Sequence, residues 1–427
     1  MTAPTPHVPG PDENPTPPRR LATDREDERL VRYRGFTGAF KEFATRVRGG
    51  DFGSLPVVVG LIVIWTVFQI NNPIFLSSGN LNTLATQCAA IGIIALGIVL
   101  ILLLGEIDLS VGSVSGLSSA IMAVQFVQHG WPLWLSILVP LAVGLCIGVF
   151  YGLLYTRFGV PSFVITLAGL LGILGLQLWV LGKTGSINMP ADSWIVDFTR
   201  HWHLPPSISY VLVAFAVAAF VVQQILHARR RATAGLSAHS TLSIVGRSLG
   251  LLVLVGVPVW YLNRSNGVSA VFLFFLALVI VMNFALTRTT WGRSIFAIGG
   301  NVEAARRAGI RVKSVYVSVF MLTSAFAALG GILATARLGA ANQSSGGGDT
   351  NLTAIAAAVI GGTSLFGGRG GAFSALLGIL VIQSISNGLT LLSLDTDVRY
   401  MVTGAVLLLA VVADSLSRRT RARHGRA

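Results

Sequence analysis

Charge and cysteine are both scarce in this sequence. Only 11% of its 427 residues are Asp, Glu, Lys or Arg, against 53% hydrophobic residues, and there are 2 cysteines. A water-soluble chain of this length needs more charge on its surface, so an ordinary globular protein is excluded. Cys88 and Cys146 both sit inside apolar runs, which argues for two buried thiols and against a disulfide or metal framework. The chain has no H-E-x-x-H and no nucleophile set beside a base. Its lone H-x-H, His201 and His203, offers too few ligands for zinc. A P-loop is missing too: the nearest approach, Gly182-Lys183-Thr184, has Gln177 where the first glycine belongs. Any ATP used must therefore be bound by another chain, and no cofactor of its own is expected. The net charge of +14 comes with no RNA- or DNA-binding motif. Its basic residues lie between apolar runs and at the two ends, so a nucleic-acid partner is not expected.

What is present is a series of apolar runs of roughly spanning length. They cover approximately Leu55–Ile70, Leu84–Leu104, Leu109–Val127, Leu133–Tyr155, Phe163–Leu181, Ile208–Leu226, Leu249–Leu262, Val268–Leu286, Val315–Ala336, Leu352–Phe366, Phe373–Leu392 and Tyr400–Leu416. The expected fold is all-α: a polytopic membrane protein with about 10–12 transmembrane helices, some broken or re-entrant. Residues 51–416 form the membrane domain. Ahead of it, residues 1–29 are proline-rich and read as a disordered tail, with no signal peptide. Residues 30–50 place Phe36, Phe40, Phe43 and Val47 at helical spacing opposite Lys41, Arg46 and Arg48, the pattern of a basic interfacial helix. Residues 417–427 form a basic tail.

Charge placement sets the expected orientation. With both termini in the cytoplasm, Arg157, Arg229–Arg231, Arg247, Arg288–Lys313, Arg369 and Arg418–Arg426 all fall inside. The opposite side receives Asp192, Asp197, Asp349, Asp395 and Asp397, with only Lys183, Arg200, Arg264, Arg337 and Arg399 near it. Glycine stripes at Gly144, Gly148 and Gly152, at Gly112 and Gly116, and at Gly169, Gly172 and Gly175 mark faces where helices approach closely.

Three polar stretches interrupt the apolar pattern. In Trp291–Ser314, Ile298, Val302, Ala305 and Ile310 line one side of a short helix and Arg293, Glu303, Arg306, Arg307, Arg311 and Lys313 the other. Gly299-Gly300 is expected to break the chain just before it, with Asn301 as the N-cap and Glu303 in the first turn. The second stretch, Gly105-Glu106-Ile107-Asp108-Leu109-Ser110-Val111-Gly112-Ser113, puts two carboxylates between apolar runs. Each costs roughly 2.5–3.5 kcal/mol at membrane depth, so each needs a role. Asp108 reads as the N-cap of the next helix, with a proton relay as the alternative; Glu106 either pairs with an inward-facing Arg or faces an aqueous vestibule. The third, Gly361-Gly362-Thr363-Ser364-Leu365-Phe366-Gly367-Gly368-Arg369-Gly370-Gly371, is a similar late break, of the kind transporters set beside a pathway.

Glu303-Ala304-Ala305-x-x-x-Gly309 resembles the EAA-x-x-x-G element that permeases of ATP-binding-cassette importers present to their ATPase, although the later Ile-x-Leu-Pro is missing. GEIDLSVGS, PSFVITL at Pro161–Leu167, GRSIFAIGGNVEAARRAGI at Gly292–Ile310 and IGGTSLFGGRGG at Ile360–Gly371 occur together and in order. The chain thereby resembles the membrane permeases of bacterial monosaccharide ABC importers over roughly Leu84–Leu416. Most of that group have Gly where this chain has Glu106; the Glu and the added segment around Arg229–Leu262 are more similar to the xylose permease branch.

The resemblance implies a type II ABC importer-like permease in the bacterial cytoplasmic membrane, paired with a second copy in the lipid bilayer. An ABC ATPase subunit and an extracytoplasmic sugar-binding protein are its implied partners. Gly299, Gly300, Asn301, Glu303, Ala304, Ala305 and Gly309 would then couple to the ATPase. Glu106, Asp108, Ser110, Ser113, Gly361, Gly362, Gly367 and Gly368 would mark helix breaks or the translocation path, for a monosaccharide such as xylose. An ion-coupled secondary transporter or facilitator is the competing class; it would use Glu106 and Asp108 as coupling carboxylates and would not require the Trp291–Ser314 element.

Overall fold

A computed structural model describes residues 55–234 and 241–395, with scattered positions between 397 and 412. The proline-rich tail, the basic interfacial helix, most of the Tyr400–Leu416 run and the C-terminal tail lie outside the described residues. The fold is almost entirely helical. In chain order the helices are α1 (Leu55–Asn71), α2 (Ser78–Leu103), α3 (Val111–Ala123, continued by a π-turn Val124–Gln128), α4 (Leu133–Phe158) and α5 (Ser162–Leu181). They continue as α6 (Trp194–Arg200), α7 (Pro206–Thr233), α8 (Thr241–Leu262), α9 (Ala270–Arg288), α10 (Thr290–Gly300) and α11 (Val302–Arg307). The last three are α12 (Val312–Leu338), α13 (Gly348–Ile360) and α14 (Ala372–Leu391). Among the described residues, 9 helices are long and apolar enough to cross a membrane; α1 and α13 are shorter.

The chain divides into two units. The described residues of 212–255 belong to one, and those of 55–211 and from 256 onward form the other. Within the first, α7 carries Arg230 and Arg231 in its last turn. Everything below concerns the second unit.

The middle of that unit is α2. Ile93–Leu103 is buried without interruption, because this helix is apolar on every face and is covered on all of them. Helices α12, α13, α14 and α9 pack around it. Peripheral helices keep an apolar outer face: Leu138, Phe150 and Leu153 on α4, Leu171 and Trp179 on α5, and Ile280, Val281 and Phe284 on α9 are exposed. In a bilayer that is the lipid-facing surface.

Small residues set the packing at two of the three expected stripes and at one position of the third. A Cβ on Gly148 would lie 2.4 Å from the Phe320 carbonyl oxygen, and one on Gly152 would lie 2.6 Å from Val317 Cα, so this stripe seats α4 directly on α12. Of the Gly169, Gly172 and Gly175 stripe only Gly169 meets a neighbour, the Tyr151 hydroxyl; the other two face open space. Cys88 is buried as expected, but Cys146 is exposed. The reason is rotational: Cys146 lies off the Gly144–Gly148 face that packs on α12.

Two short antiparallel ribbons, β1 (Ser186–Asn188) with β4 (Ala340–Asn342) and β2 (His203–Leu204) with β3 (Val268–Ser269), tie connecting segments together. The β4 ribbon follows the C-terminal end of α12, and α11 precedes its N-terminal end. At about 1.5 Å per residue, the 27 residues of α12 separate the two by roughly 40 Å.

Candidate functional site

The N-terminal end of α12 carries a short polar helix. Asn301 Oδ1 accepts the Ala304 amide at 2.9 Å, so the side chain caps α11 from the position its sequence suggests. Glu303 pairs with Arg306 at 2.9 Å and lies 3.6 Å from Arg307, on a solvent-facing side. Ala304 is also exposed, whereas Ala305 and Ile298 are buried, which gives the expected two-faced element. Its end is a Schellman turn: Gly309 N bonds Arg306 O and Ile310 N bonds Ala305 O. Gly309 has φ +83°, a left-handed conformation that costs a glycine nothing. Helix α13 ends on the same pattern at Gly362, as α2 does at Gly105.

The break expected at Gly299-Gly300 falls at Asn301, whose extended backbone separates α10 from α11. Both glycines close α10, and the reason for Gly299 is a contact. A Cβ there would lie 1.9 Å from the Leu103 carbonyl oxygen and 2.6 Å from the Gly368 nitrogen. That same carbonyl accepts the Gly368 amide at 2.9 Å, and Gly367 lies against Gly299 and Gly105. Three stretches far apart in sequence, 103–105, 299–300 and 367–368, thus meet backbone to backbone at the foot of α11. Gly300 has no neighbour within 4 Å of its Cβ direction. Gly361 closes α13, where a Cβ would collide with the Ser374 carbonyl.

From this junction the α2–α3 break rises into the protein. Glu106 meets no arginine among the described residues; its two carboxylate oxygens accept the Tyr155 hydroxyl from α4 and the Ser162 hydroxyl from α5, each at 2.5 Å. Tyr155 in turn lies against Tyr316 of α12, ring centroids 4.6 Å apart. One carboxylate therefore ties the break to the ends of α4 and α5, and through Tyr155 to the start of α12. Asp108 is not the N-cap; Ser110 occupies that position. Asp108 Oδ1 accepts both the amide and the hydroxyl of Ser110, at 2.8 and 2.7 Å, forming an Asx-turn that delivers the chain into α3. Its Oδ2 is buried and has no partner. Ser113 donates to the Leu170 carbonyl at 2.9 Å.

Beyond the break, the first turns of α3 and α13 face each other. The Gly112 amide donates to Asn351 Oδ1, and Gly346 fits against Gly112 and Gly116. Gln177, 0% exposed on α5, donates to the Ser345 carbonyl at 2.9 Å and to that of Asn342 at 3.2 Å. Two helix N-termini meeting beside buried amides make a polar seam within an apolar bundle, of the kind that lines a solute path. Tyr155, Ser162, Gln177 and Asn351 are thus further candidates for the site; Ser162 falls within PSFVITL and Gln177 stands where a P-loop glycine would, but neither motif gives them a role here. The signal for Gln177 was available, as a lone amide inside an apolar run. Among the described residues no group of His, Cys, Asp and Glu is placed to hold a metal.

Comparison with known proteins places this architecture. Residues 80–411 match a family described as branched-chain amino acid transport system / permease component. The xylose transport system permease protein XylH of Escherichia coli (strain K12) is 38% identical over 363 residues, covering 85% of this chain and 90% of the relative. The ribose import permease protein RbsC of Bacillus subtilis (strain 168) is 32% identical over 365 residues, covering 86% and 94%. The fructose import permease protein FrcC of Rhizobium meliloti is 28% identical over 369 residues, covering 86% and 87%. No solved structure matches significantly.

Proposed function

Because this chain belongs to the branched-chain amino acid transport system / permease component family, within which it is similar to permeases named for sugars, we propose that it forms the membrane path of an ATP-driven monosaccharide importer. Xylose is the substrate the relatives favour. One observation supports this reading above the others: α11 stands exposed at the junction where the three glycine segments meet. A polar helix held on so rigid a base can transmit a push into the α2–α3 and α13–α14 breaks together.

In this reading α11 lies in the cytoplasm, Glu303 to Gly309 dock into a groove of an ABC ATPase, and both termini share that side. ATP is bound and hydrolysed by the ATPase. An extracytoplasmic binding protein delivers the sugar at the opposite end, and two copies of the chain pair in the cytoplasmic membrane. The Tyr316–Tyr155–Glu106 contact gives the path of the motion, from the start of α12 to the carboxylate that holds the break.

Uptake by reconstituted vesicles is the test. Xylose accumulation should require a catalytically competent ATPase and should survive collapse of the proton gradient while ATP is maintained. Uptake by the chain alone, driven by a pH gradient, would establish the ion-coupled class instead, with Asp108 as the first carboxylate to examine.

A further inference from the structure

At the end of the bundle away from α11 lies a cavity of about 250 Å³, lined by Gly79, Asn82, Thr83, Thr86, Gln87, Arg200, His203, Asn266 and Arg337. Apart from one glycine every lining side chain is polar, and two are guanidiniums. Arg200 is anchored by its Nε, which donates to the Arg337 carbonyl at 2.7 Å at the C-terminal end of α12. That bond leaves both terminal nitrogens of Arg200 without a protein acceptor among the described residues. Arg337 is less satisfied still, since its Nε is buried with no partner. No carboxylate lines the cavity, and neither arginine forms an ion pair among the described residues.

Like charges held side by side without a counter-charge repel, and an unpaired buried guanidinium donor carries a full desolvation cost. Both are relieved by one planar anion that accepts two parallel N–H bonds, which is the geometry of a carboxylate. Asn82 makes the second demand. It is 3% exposed, its Nδ2 is committed to the Gly267 carbonyl at 2.9 Å, and its Oδ1 is buried and unpartnered. An acceptor fixed beside two cations calls for a ligand with an O–H or N–H next to its anionic group.

We propose that this cavity is a carboxylate-binding site, with Arg200 and Arg337 holding the anion and Asn82 accepting a hydrogen bond from a neighbouring donor. Two sources carry that chemistry: a free sugar acid, or an acidic side chain of the partner that delivers solute. The second source rests on the importer reading; the first does not.

The purified full chain in detergent is titrated with D-xylonate, acetate and D-xylose, following thermal unfolding and calorimetric binding. With a free acid as the source, xylonate binds in a way that depends on the two arginines, any xylose binding does not depend on them, and xylonate binding weakens with added salt. Arg337→Gln and Arg200→Gln should each weaken it at least tenfold, and Asn82→Leu should reduce the preference for xylonate over acetate. Arg200→Lys, at the exposed position, keeps the charge and controls for misfolding. The second arm uses vesicles holding the chain together with a purified extracytoplasmic xylose-binding protein. With a protein side chain as the source, free acids leave the melting point unchanged, whereas association falls at least tenfold in both Arg→Gln variants and with salt. The site is overturned if the two arginine substitutions weaken xylose binding as much as xylonate binding, or if neither acids nor the binding protein respond to them. ATP-driven xylose uptake, measured separately on the unmodified chain, keeps a failure of the importer reading distinct from a failure of this site.

Discussion

Tyr155 donates its hydroxyl to Glu106 at 2.5 Å while its ring rests on Tyr316, centroid to centroid 4.6 Å. Glu106 is thus the point where the α2–α3 break is tied to α4, and through Tyr316 to the helix that follows α11. A carboxylate is not strictly needed there: a glutamine oxygen still accepts the Tyr155 hydroxyl, and its amide can donate to the Ser162 oxygen, which then turns from donor to acceptor. Glu106→Gln should therefore retain substantial ATP-driven uptake. Glu106→Leu leaves two hydroxyls unpaired and should lose roughly 1–3 kcal/mol of stability together with most transport. Uptake and detergent melting of the two variants check this.

Asp108 makes a different prediction, because what it supplies is a turn. Asn forms the same Asx-turn to Ser110, so Asp108→Asn should be nearly as stable and active as the parent. Asp108→Leu should cost about 1 kcal/mol or more and lower the folded yield. A well-folded Asp108→Asn protein with no uptake would show instead that the charge itself is used.

Neighbouring glycines should behave oppositely. Gly299→Ala forces a methyl to 1.9 Å from the Leu103 carbonyl and should destabilise by roughly 1–3 kcal/mol, with loss of uptake. Gly300→Ala meets nothing within 4 Å and should be silent. Comparing the two by thermal melting separates a contact from a mere helix end.

Gly309 tests the coupling role. Its φ of +83° suits no β-branched residue, so Gly309→Val should distort the end of α11 at a cost of about 1–3 kcal/mol locally. Membrane insertion should be unchanged, while the sugar carried per ATP hydrolysed should fall. Glu303→Lys should do the same by reversing charge on the exposed face. Cysteines placed from Ser294 to Lys313 should cross-link to the ATPase, and complete failure along that segment would remove the coupling role.

Local chemistry was legible from the residues alone. Apolar length announced the helices, and the Asn301 cap needs only a side chain and an amide three residues on, so it appears where the sequence puts it. The boundaries were less legible. The run ending at Phe366 stops as a helix at Ile360, because Gly361 and Gly362 form the turn and the next residues serve the junction.

Everything that depended on which helices become neighbours was decided by the tertiary structure. Gly299 reads as a breaker because glycine is intrinsically flexible, yet its need is the Leu103 carbonyl, which nothing within its own stretch reveals. Glu106 has no local partner, so its role appeared only when α4 and α5 brought Tyr155 and Ser162 to it. Gly172, Gly175 and Cys146 show the reverse: a helical period says which residues share a face, but only packing says whether that face is covered. Residues alone were enough for a helical membrane protein, its polar interruptions and the capping of α11, because those follow from composition and from contacts within a few residues. Only the tertiary structure joined the three glycine segments, seated Glu106 between two helices and set Arg200 beside Arg337, because hydrogen bonds and close approaches between distant segments leave no periodic trace in the chain.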